Sequence, residues 1–570
     1  MATPLKTDPG RAAAYAPYVL AQVPRLLGML DREPFSATFG SFDREHWSWK
    51  LRDFPVLMSQ WAVYSLALLW RTELPGSHWC GSPQLLDWAR AALRELCRRQ
   101  HRNGAYDSVG PNTQDYGATL GSVYYLVETA IALGTALPKD EADWVRDCIL
   151  RAVRFSDRTS EDYAFVSNHH ALFALGLASG ARWTEETELM ERARGTVKQI
   201  LDRQSPDGFY LEYGGCDPGY ESLGIYYLAR YWELTGDETV LASLERAVEF
   251  FSHMVHPDGS VGGNYGSRHT RLFFPGGFEI LSSRLPNAAA VAVYLRERLE
   301  RNNVVTPASV DAQNLFVLLC SYIHACGVDE KCLEPAPLPC ETLQGVRQFE
   351  SGLAVAAGKD YYAVVGLCKG GVCRIDIKSK EVVAYIDGGY VIRRANRVYG
   401  SQLLGLSRIE PVETKGVMET RARFGLVSQE QITPFRFVLL RILNLTAFRI
   451  VALGRWLRRL IVDRLITRRV LAPFELHRRV QFEDARVHFA DKLTALGDRD
   501  VSETELARTF TPIHMGSARY FHDSELHATP MPDYSALAAS LRASGQAKLS
   551  FTIEIQEGVA RLVSTSSPDA

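Results

Sequence analysis

A repeat of about 52 residues constrains the fold of residues 1–330 more than any other feature of this chain. Gly104, Gly208 and Gly259 each end an Asn-Gly or Asp-Gly turn, and they are 104 and 51 residues apart, which is two repeats and then one. Between the turns, apolar residues recur at i, i+3, i+4 and i+7, for example over 56–70 and 120–133. One repeat is long enough for two antiparallel helices. Because such pairs bury their apolar faces against their neighbours, the repeat predicts an N-terminal (α/α) toroid of helical hairpins.

A toroid places every second loop at the same end, so polar and aromatic residues that are distant in sequence are predicted to share one mouth. We therefore expect the functional site to lie there. The residues on these loops are Trp47, Trp49, Asp53, Gln114, Asp115, Tyr116, Asn168, His169, His170, Asp217, Tyr220, Tyr265, Arg268 and His269.

The pattern changes after residue 330, and a chain of 570 residues is too long for a single core. Residues 331–345 contain three prolines and no helical period, so they are predicted to link two domains. From 346 to 570, short segments with a period of two end at glycine-containing turns. This spacing predicts a C-terminal antiparallel β-sandwich, and the whole chain is predicted to be a multidomain α and β protein.

Residues 435–480 interrupt the strand pattern with apolar residues at helical spacing. Arginines recur there at 436, 441, 449, 455, 458, 459, 464, 468 and 469, whereas the only acids are Asp463 and Glu475. The segment predicts one or two basic amphipathic helices inserted in the sandwich. Such helices either pack on the sheet with their arginines reaching solvent, or attach to an anionic membrane surface or an acidic polymer.

Composition excludes several classes of partner and location. The net charge of −2 gives no indication of a nucleic-acid partner. Ten cysteines without a CxxC pair favour reduced, mostly buried thiols. The N-terminal residues lack a charged segment followed by an apolar stretch, and no window of 18 uncharged apolar residues occurs. We therefore expect a cytoplasmic protein, with contact to the inner membrane only at its periphery, through residues 435–480.

Two clusters of polar residues on the predicted mouth precede helices. Asn168, His169 and His170 open one helical segment, where Asn is also an ordinary cap and His can simply bind a loop carbonyl. Tyr220 and Glu221 follow Gly-Gly and Pro-Gly at the start of another. The positive end of a helix dipole favours the phenolate of such a tyrosine, which suits proton transfer, although core packing is the alternative.

A third cluster lies in a glycine-flanked loop. It contains Asn264, Tyr265, Arg268, His269 and Arg271. Arginine next to histidine suits a carboxylate clamp beside an acid or base. A solvated loop without a function is the alternative.

The Asn-His pair and a "DG…E…PGY" segment some fifty residues later resemble the heparinase II/III-like and alginate-lyase-like polysaccharide lyases. The resemblance implies a toroid followed by a β-sandwich and cleavage of an acidic, uronate-containing polysaccharide. It also implies that Asn168 and His169 neutralise a uronate carboxylate and that Tyr220 moves protons. The absence of a recognised signal peptide favours a role in assembling or remodelling a surface polysaccharide.

β-Elimination removes the proton next to a uronate carboxylate and expels the 4-linked sugar, so donors must meet the developing enolate. The predicted catalytic residues are Asn168, His169, Tyr220 and His269. The predicted substrate-binding residues are Arg268, His170, Tyr265, Trp47, Trp49, Tyr116, Asp217 and Arg271. We expect no metal and no cofactor, and we leave self-association as a further hypothesis.

Two other functions compete with elimination. A toroid also carries glycoside hydrolases, which need two carboxylates facing each other across the bond. The candidates are Asp53, Asp115, Asp217 and Glu221. The third hypothesis is a non-catalytic glycan-binding or assembly protein, because a fold does not determine a function.

Overall fold

A computed structural model describes residues 4–108, 110–159, 165–301, 304–327, 330–427, 433–462, 470–509, 520–526 and 529–564. Its first part is helical, as predicted. The helices are α1 (Pro9–Leu20), α2 (Val23–Met29), α3 (Arg44–Trp47), α4 (Leu57–Gln60), α5 (Val63–Arg71), α6 (Pro83–Arg98), α7 (Tyr116–Leu133), α8 (Lys139–Ser156), α9 (Ser167–Thr184), α10 (Thr187–Leu201), α11 (Pro218–Thr235), α12 (Glu238–Ser252), α13 (Pro275–Leu281), α14 (Pro286–Arg296), α15 (Ala312–Cys326) and α16 (Pro339–Thr342).

The helices of this part form an inner and an outer set. Helices α5, α7, α9, α11, α13 and α15 pack one against the next, and α15 also packs against α5. Inner helices such as α7 and α9 are buried along nearly all of their length. Outer helices such as α6 and α10 bury one stripe and keep a polar face in solvent. The contacts between the inner helices thus run in a closed order, from α5 through α15 and back to α5.

The repeat glycines lie where a turn passes very close to another helix. Gly104 and Gly208 adopt φ of +93° and +110°, a region that other residues avoid. A Cβ at Gly104 would approach the carbonyl oxygen of Arg151 to 2.1 Å, and one at Gly208 would approach that of Arg246 to 2.4 Å. Each turn thus docks on the outer helix that follows it, which explains why glycine recurs with the period of the hairpins.

The second part is antiparallel β-structure, also as predicted. Its elements are β1 (Gly345–Gln348), β2 (Leu353–Ala357), β3 (Tyr361–Gly366), β4 (Val372–Ile377), β5 (Val382–Ile386), β6 (Tyr390–Arg394), β7 (Arg397–Gly400), β8 (Ser407–Glu410), β9 (Val417–Val427), α17 (Pro434–Leu445), α18 (Val451–Val462), β10 (Leu471–Phe482), β11 (Arg486–Ala495), β12 (Glu503–Leu506), α19 (Leu537–Ser544), β13 (Gln546–Gln556) and β14 (Val559–Ser564).

These strands form two sheets. Strands β1 to β5 are neighbours in sequence order, and the larger sheet has the order β12-β6-β7-β9-β10-β11-β13-β14, with β8 on β9. Val365 and Ile375 of the first sheet and Phe424, Leu476 and Phe489 of the second belong to one buried cluster. The two sheets therefore bury a common apolar layer between them.

The predicted helical insertion is shorter than 435–480. Helices α17 and α18 lie between β9 and β10, and residues 463–469 fall outside the described part of the chain. Residues 471–480 belong to strand β10, which pairs with both β9 and β11. Phe474, Leu476, Arg478 and Val480 alternate inward there with a period of two. Arg478 extends the run of arginines into the strand, where it binds Asp387 and Asp491 in the core.

Buried polar contacts join the helical part to the first sheet. Arg374 on β4 binds Asp258 of the helical part and Asp376 of its own strand, each at 2.7 Å. Burial alone would lower the pKa of Arg374, but the two carboxylates raise it above its ordinary value. Tyr362 on β3 donates to the carbonyl of His253 at 2.7 Å. Within the described residues, no helix is both long and apolar enough to span a membrane.

Replacing Arg374 with Met should destabilise the protein by about 3–5 kcal/mol, because it leaves two buried carboxylates without their cation. Arg393→Met is the control, since Arg393 forms an exposed pair with Glu503 and should cost less than about 1 kcal/mol. The measurement is the free energy of unfolding from urea titration. Equal, small losses in the two variants would contradict a stabilising contact between the two parts.

Candidate active site at three helix N-termini

The N-termini of the neighbouring helices α7, α9 and α11 carry four of the twelve predicted site residues. Tyr116 is the first residue of α7, Asn168 and His169 lie in the first turn of α9, and Tyr220 lies in the first turn of α11. Tyr116 meets Phe173 of α9 edge-on at 5.7 Å, and His169 lies 6.3 Å from the same ring. Helix N-termini present free N–H groups and positive partial charge, which suits an anionic ligand.

Glu212 is the centre of the α9 end of this site, although the sequence pattern predicts no role for it. Its carboxylate accepts the backbone N–H of Asn168 at 2.8 Å and the side-chain Nδ2 of Asn168 at 2.7 Å. Val166 provides no side-chain cap for α9, so Glu212 acts as the cap from a separate loop. Burial raises the pKa of Glu212 to about 8, while the bonds from Asn168 and the nearby His169 oppose that rise.

Asp217 orients the α11 end of the site. It is fully buried and caps α11 by accepting the N–H of Tyr220 at 3.2 Å. Its other oxygen accepts the N–H groups of Arg268 at 2.9 Å and Thr270 at 3.3 Å. Backbone donors contact both oxygens, so Asp217 positions these two segments, and its role in binding substrate stays a prediction. Burial raises the pKa of this carboxyl.

Arg268 contributes a buried positive charge to the site. Its guanidinium carbon lies 3.5 Å from the centre of the Tyr213 ring, and its charge interacts with Tyr220 and Glu212. Nε and Nη1 of Arg268 are buried and have no hydrogen-bond partner within the described ranges. A buried N–H without an acceptor costs about 1–3 kcal/mol, so the arrangement favours binding an anion. Burial lowers the pKa of this guanidinium.

Two residues near Arg268 have a strained backbone: His269, which follows it in sequence, and Tyr213, whose ring lies against its guanidinium. His269 and Tyr213 have φ of 61° and 56°, which is the left-handed region that residues other than glycine rarely adopt. Such conformations persist where surrounding contacts enforce them and are concentrated at functional sites. His269 is buried and Tyr213 is half-buried. The structure therefore adds Tyr213 to the candidate site, and its position opposite Arg268 gave no signal in the sequence.

Three further predicted binding residues are buried. His170 is buried, with Nδ1 3.0 Å from the carbonyl of Val166 and its ring against Phe165. Tyr265 is buried between the two parts of the chain, with its hydroxyl 2.8 Å from His256 Nε2. Arg271 is buried and pairs with Glu525 at 3.4 Å. These contacts hold the three side chains inside the protein, and the binding roles of His170, Tyr265 and Arg271 stay predictions.

The two predicted tryptophans differ from each other. Trp47 donates its ring N–H to the carbonyl of Met29 and packs under Arg44, so it anchors its own loop. Trp49 is exposed over 66% of its surface. Only Trp49 therefore presents an aromatic face to solvent, as a sugar-stacking residue would.

The first sheet supports the loop that carries Arg268. Lys369, which follows β3, is fully buried and donates to the carbonyls of Asn264 at 2.5 Å and Gly266 at 2.6 Å. Burial lowers the pKa of Lys369 to about 8. A cavity of about 310 Å³ lies behind this loop, between the two parts of the chain, and is lined by residues such as Gly215, Cys216 and Leu404. Of the predicted site residues, Tyr265 lines this cavity, whereas Asn168, His169, Tyr220 and Arg268 do not.

The carboxylates needed for glycoside hydrolysis are engaged elsewhere. Asp115 and Asp217 cap α7 and α11, and both oxygens of Glu221 accept the N–H of Tyr210. Asp53 pairs with Arg441 of α17 at 3.0 Å. Within the described residues, no group of three His, Cys, Asp or Glu side chains is placed to hold a metal ion. The site instead combines donors, a cation and phenols, which suits stabilising an anion and moving a proton.

Glu212→Gln should change how stability depends on pH. The folded pKa of Glu212 lies above its ordinary value of 4.5, so the folded state binds an extra proton between about pH 4.5 and 8. Stability of the unsubstituted protein should therefore fall with rising pH in that window by about 1.4 kcal/mol per unit relative to Glu212→Gln. Unfolding titrations at several pH values measure this difference.

Glu128→Gln is the matched control for that experiment, because Glu128 is also a buried glutamate of the helical part. Against the effect of burial, Arg230 holds the pKa of Glu128 below its ordinary value, so this carboxylate stays ionised across the window. Its stability curve should lie lower than that of the unsubstituted protein but run parallel to it. A parallel curve for Glu212→Gln would contradict the proton assigned to Glu212.

No protein-family model and no curated protein sequence matches this chain. Among solved structures, it resembles a xanthan lyase from Paenibacillus, with 10% identity, a TM-score of 0.53 and coverage of 85% of this chain and 46% of the other. It also resembles the chondroitin AC lyase of Streptomyces coelicolor A3 in complex with chondroitin sulphate, with 13% identity, a TM-score of 0.55 and coverage of 85% and 66%. The chain spans about half the length of the first protein and under two-thirds of the second. Its fold, a helical part followed by antiparallel sheets, is therefore a polysaccharide lyase-like fold.

Proposed function

We propose that this protein cleaves an acidic, uronate-containing polysaccharide by β-elimination at the site formed by Asn168, His169, Tyr220 and Arg268. The observation that carries the proposal is the buried guanidinium of Arg268, which interacts electrostatically with Tyr220 and has N–H groups without acceptors among the described residues. A substrate carboxylate is the acceptor that such a guanidinium prefers.

The reaction requires the uronate carboxylate to be neutralised before the neighbouring proton can leave. Arg268 provides the positive charge, and Asn168 and His169 provide polar groups on the adjoining helix end. The amide nitrogen of Asn168 carries two N–H groups, and its bond to Glu212 uses only one of them. Glu212 fixes the orientation of this amide, so it is a positioning residue in the proposal.

Tyr220 is proposed to move the protons. Tyr220 lies in the first turn of α11 and interacts electrostatically with Arg268. A guanidinium close to a phenol stabilises the phenolate, which is the form that removes the proton. The resulting phenol can then donate to the leaving oxygen. His269, on the strained loop next to Arg268, is the proposed partner in this exchange.

We also propose an enzyme family and a biological role for this protein. The Asn-His pair and the "DG…E…PGY" segment support a heparinase II/III-like enzyme built on an (α/α) toroid and a β-sandwich. A role in surface-polysaccharide assembly or remodelling, a cytoplasmic location and the domain limits at 330 and 346 remain predictions. Hydrolysis is the weaker alternative, because its four candidate carboxylates are engaged in caps or in an ion pair.

Tyr220→Phe should lower kcat by a factor of about 10²–10⁴, because it removes the group that carries the proton. The assay follows the ultraviolet absorbance of the C4–C5 double bond while the protein acts on a panel of uronate-containing polysaccharides. Tyr18→Phe, at a half-buried tyrosine on α1, is the control and should keep full activity. New reducing ends without the new absorbance would instead indicate hydrolysis.

Arg268→Gln should weaken turnover of the native polymer by at least about tenfold, because the carboxylate loses its cation. A polymer whose carboxylates have been reduced to alcohols should be bound equally by the variant and the unsubstituted protein. Arg393→Gln, at an exposed arginine that pairs with Glu503, should leave kcat unchanged. If both variants lose activity equally, Arg268 has no specific role in recognising the carboxylate.

A further inference from the structure

Helix α17 turns its apolar side toward solvent, which reverses the usual arrangement of a surface helix. Its outer face consists of Phe435, Val438, Leu439, Ile442 and Leu445, at helical positions i, i+3, i+4, i+7 and i+10. These side chains are exposed over 48–78% of their surface. A continuous exposed stripe of large apolar residues marks a surface that contacts another apolar medium.

The opposite side of α17 is fixed to the helical part of the protein. Arg441 binds Asp53 at 3.0 Å and lies over the ring of Phe54. The carbonyl of Asn444 accepts from Asn112 at 3.1 Å, and the Asn444 side chain is buried. The orientation of the outer face therefore follows from contacts on the inner side, and solvent exposure of the apolar stripe is built into the fold.

Helix α18 continues this surface. Ile450, Leu453 and Trp456 are exposed over 38–60% of their surface. The sequence from 435 to 462 has six arginines, at 436, 441, 449, 455, 458 and 459, and no acid. Arg436 and Arg449 are exposed next to the apolar residues. The surface thus combines aliphatic and aromatic side chains with positive charge.

We propose that α17 and α18 bind the surface of an anionic lipid bilayer, lying in the plane of the headgroups. Apolar side chains bordered by arginines match the two layers of such a surface, the acyl boundary and the anionic headgroups. A second copy of this chain would bring arginines against arginines. A soluble acidic polymer would match the arginines but would leave Val438, Leu439 and Ile442 without apolar contacts.

Docking through these helices places the candidate active site beside the membrane. The backbone carbonyls of Asn444 and Arg449 accept from the side chains of Asn112 and Gln114. These two residues immediately precede the N-terminus of α7, where Tyr116 packs against the first turns of α9. The bilayer would therefore hold the mouth of the helical part near any glycan attached to the membrane.

Flotation of the full-length protein with vesicles tests the proposal. Vesicles of phosphatidylcholine with phosphatidylglycerol should carry the protein, whereas pure phosphatidylcholine should carry much less. Leu439→Glu should lower the partition to anionic vesicles by about tenfold or more. Leu496→Glu is the matched control, since Leu439 and Leu496 are both 48% exposed, and it should bind like the unsubstituted protein. Arg436→Gln should weaken binding about fivefold.

Several outcomes would overturn the proposal. Failure of the unsubstituted protein to float with anionic vesicles, or equal flotation with both vesicle types, contradicts an anionic bilayer. A dimer in sedimentation that Leu439→Glu disrupts, without vesicle binding, assigns the surface to a second copy. Retention on an immobilised acidic polysaccharide that Leu439→Glu abolishes, without vesicle binding, assigns it to the polymer. Thermal unfolding of each variant checks that the exposed substitutions leave the fold intact.

Discussion

The carboxylate of Asp217 fixes the relative positions of the two segments that make up the candidate site. One oxygen holds the first turn of α11, and the other holds the backbone at Arg268 and Thr270. These segments are about fifty residues apart in sequence, and they come together around a buried charge that hydrogen bonds must satisfy. The positions of Tyr220 and Arg268 are thus coupled, because both depend on the same two oxygens.

The site also depends on the second part of the chain, although its residues come from the first. Lys369 holds the carbonyls just before Arg268, and Arg374 binds Asp258 at the beginning of the same loop region. A loop with left-handed residues such as His269 keeps that conformation only where its neighbours enforce it. The sheets therefore act as the support for the strained loop, which gives a physical reason for joining a β part to a helical part.

The sequence predicted most of the fold but only part of the site. Repeat glycines and apolar periodicity depend on local sterics and burial, so they indicated the helical part and the strands correctly. Which side chain reaches the mouth depends on long-range packing, and Tyr265 and Arg271 are buried although they lie in the predicted loop. Glu212 occupied the "E" of the motif that carried the resemblance, yet its capping of α9 across 44 residues had no local signal.

The helical insertion ends before residue 480, where the sequence predicts its end, because residues 471–480 belong to β10. Arginines occur in α18 and again at Arg478 and Arg479 of β10, so charge alone could not separate helix from strand. The alternating burial of Phe474, Leu476 and Arg478 does separate them, because only a strand turns every second residue inward.

The use of carboxylates as caps determines the electrostatic character of the mouth. Asp115, Asp217 and Glu221 satisfy backbone N–H groups, and Glu212 satisfies Asn168, so the acids near the mouth are committed to donors inside the protein. Burial raises the pKa of Glu212 to about 8, which reduces the negative charge that this group projects near neutral pH. Arg268 is a nearby cation, and its Nε and Nη1 have no hydrogen-bond partner within the described residues. A mouth with this balance attracts an anionic sugar and stabilises its enolate, whereas hydrolysis requires two acidic groups that face the bond between sugars.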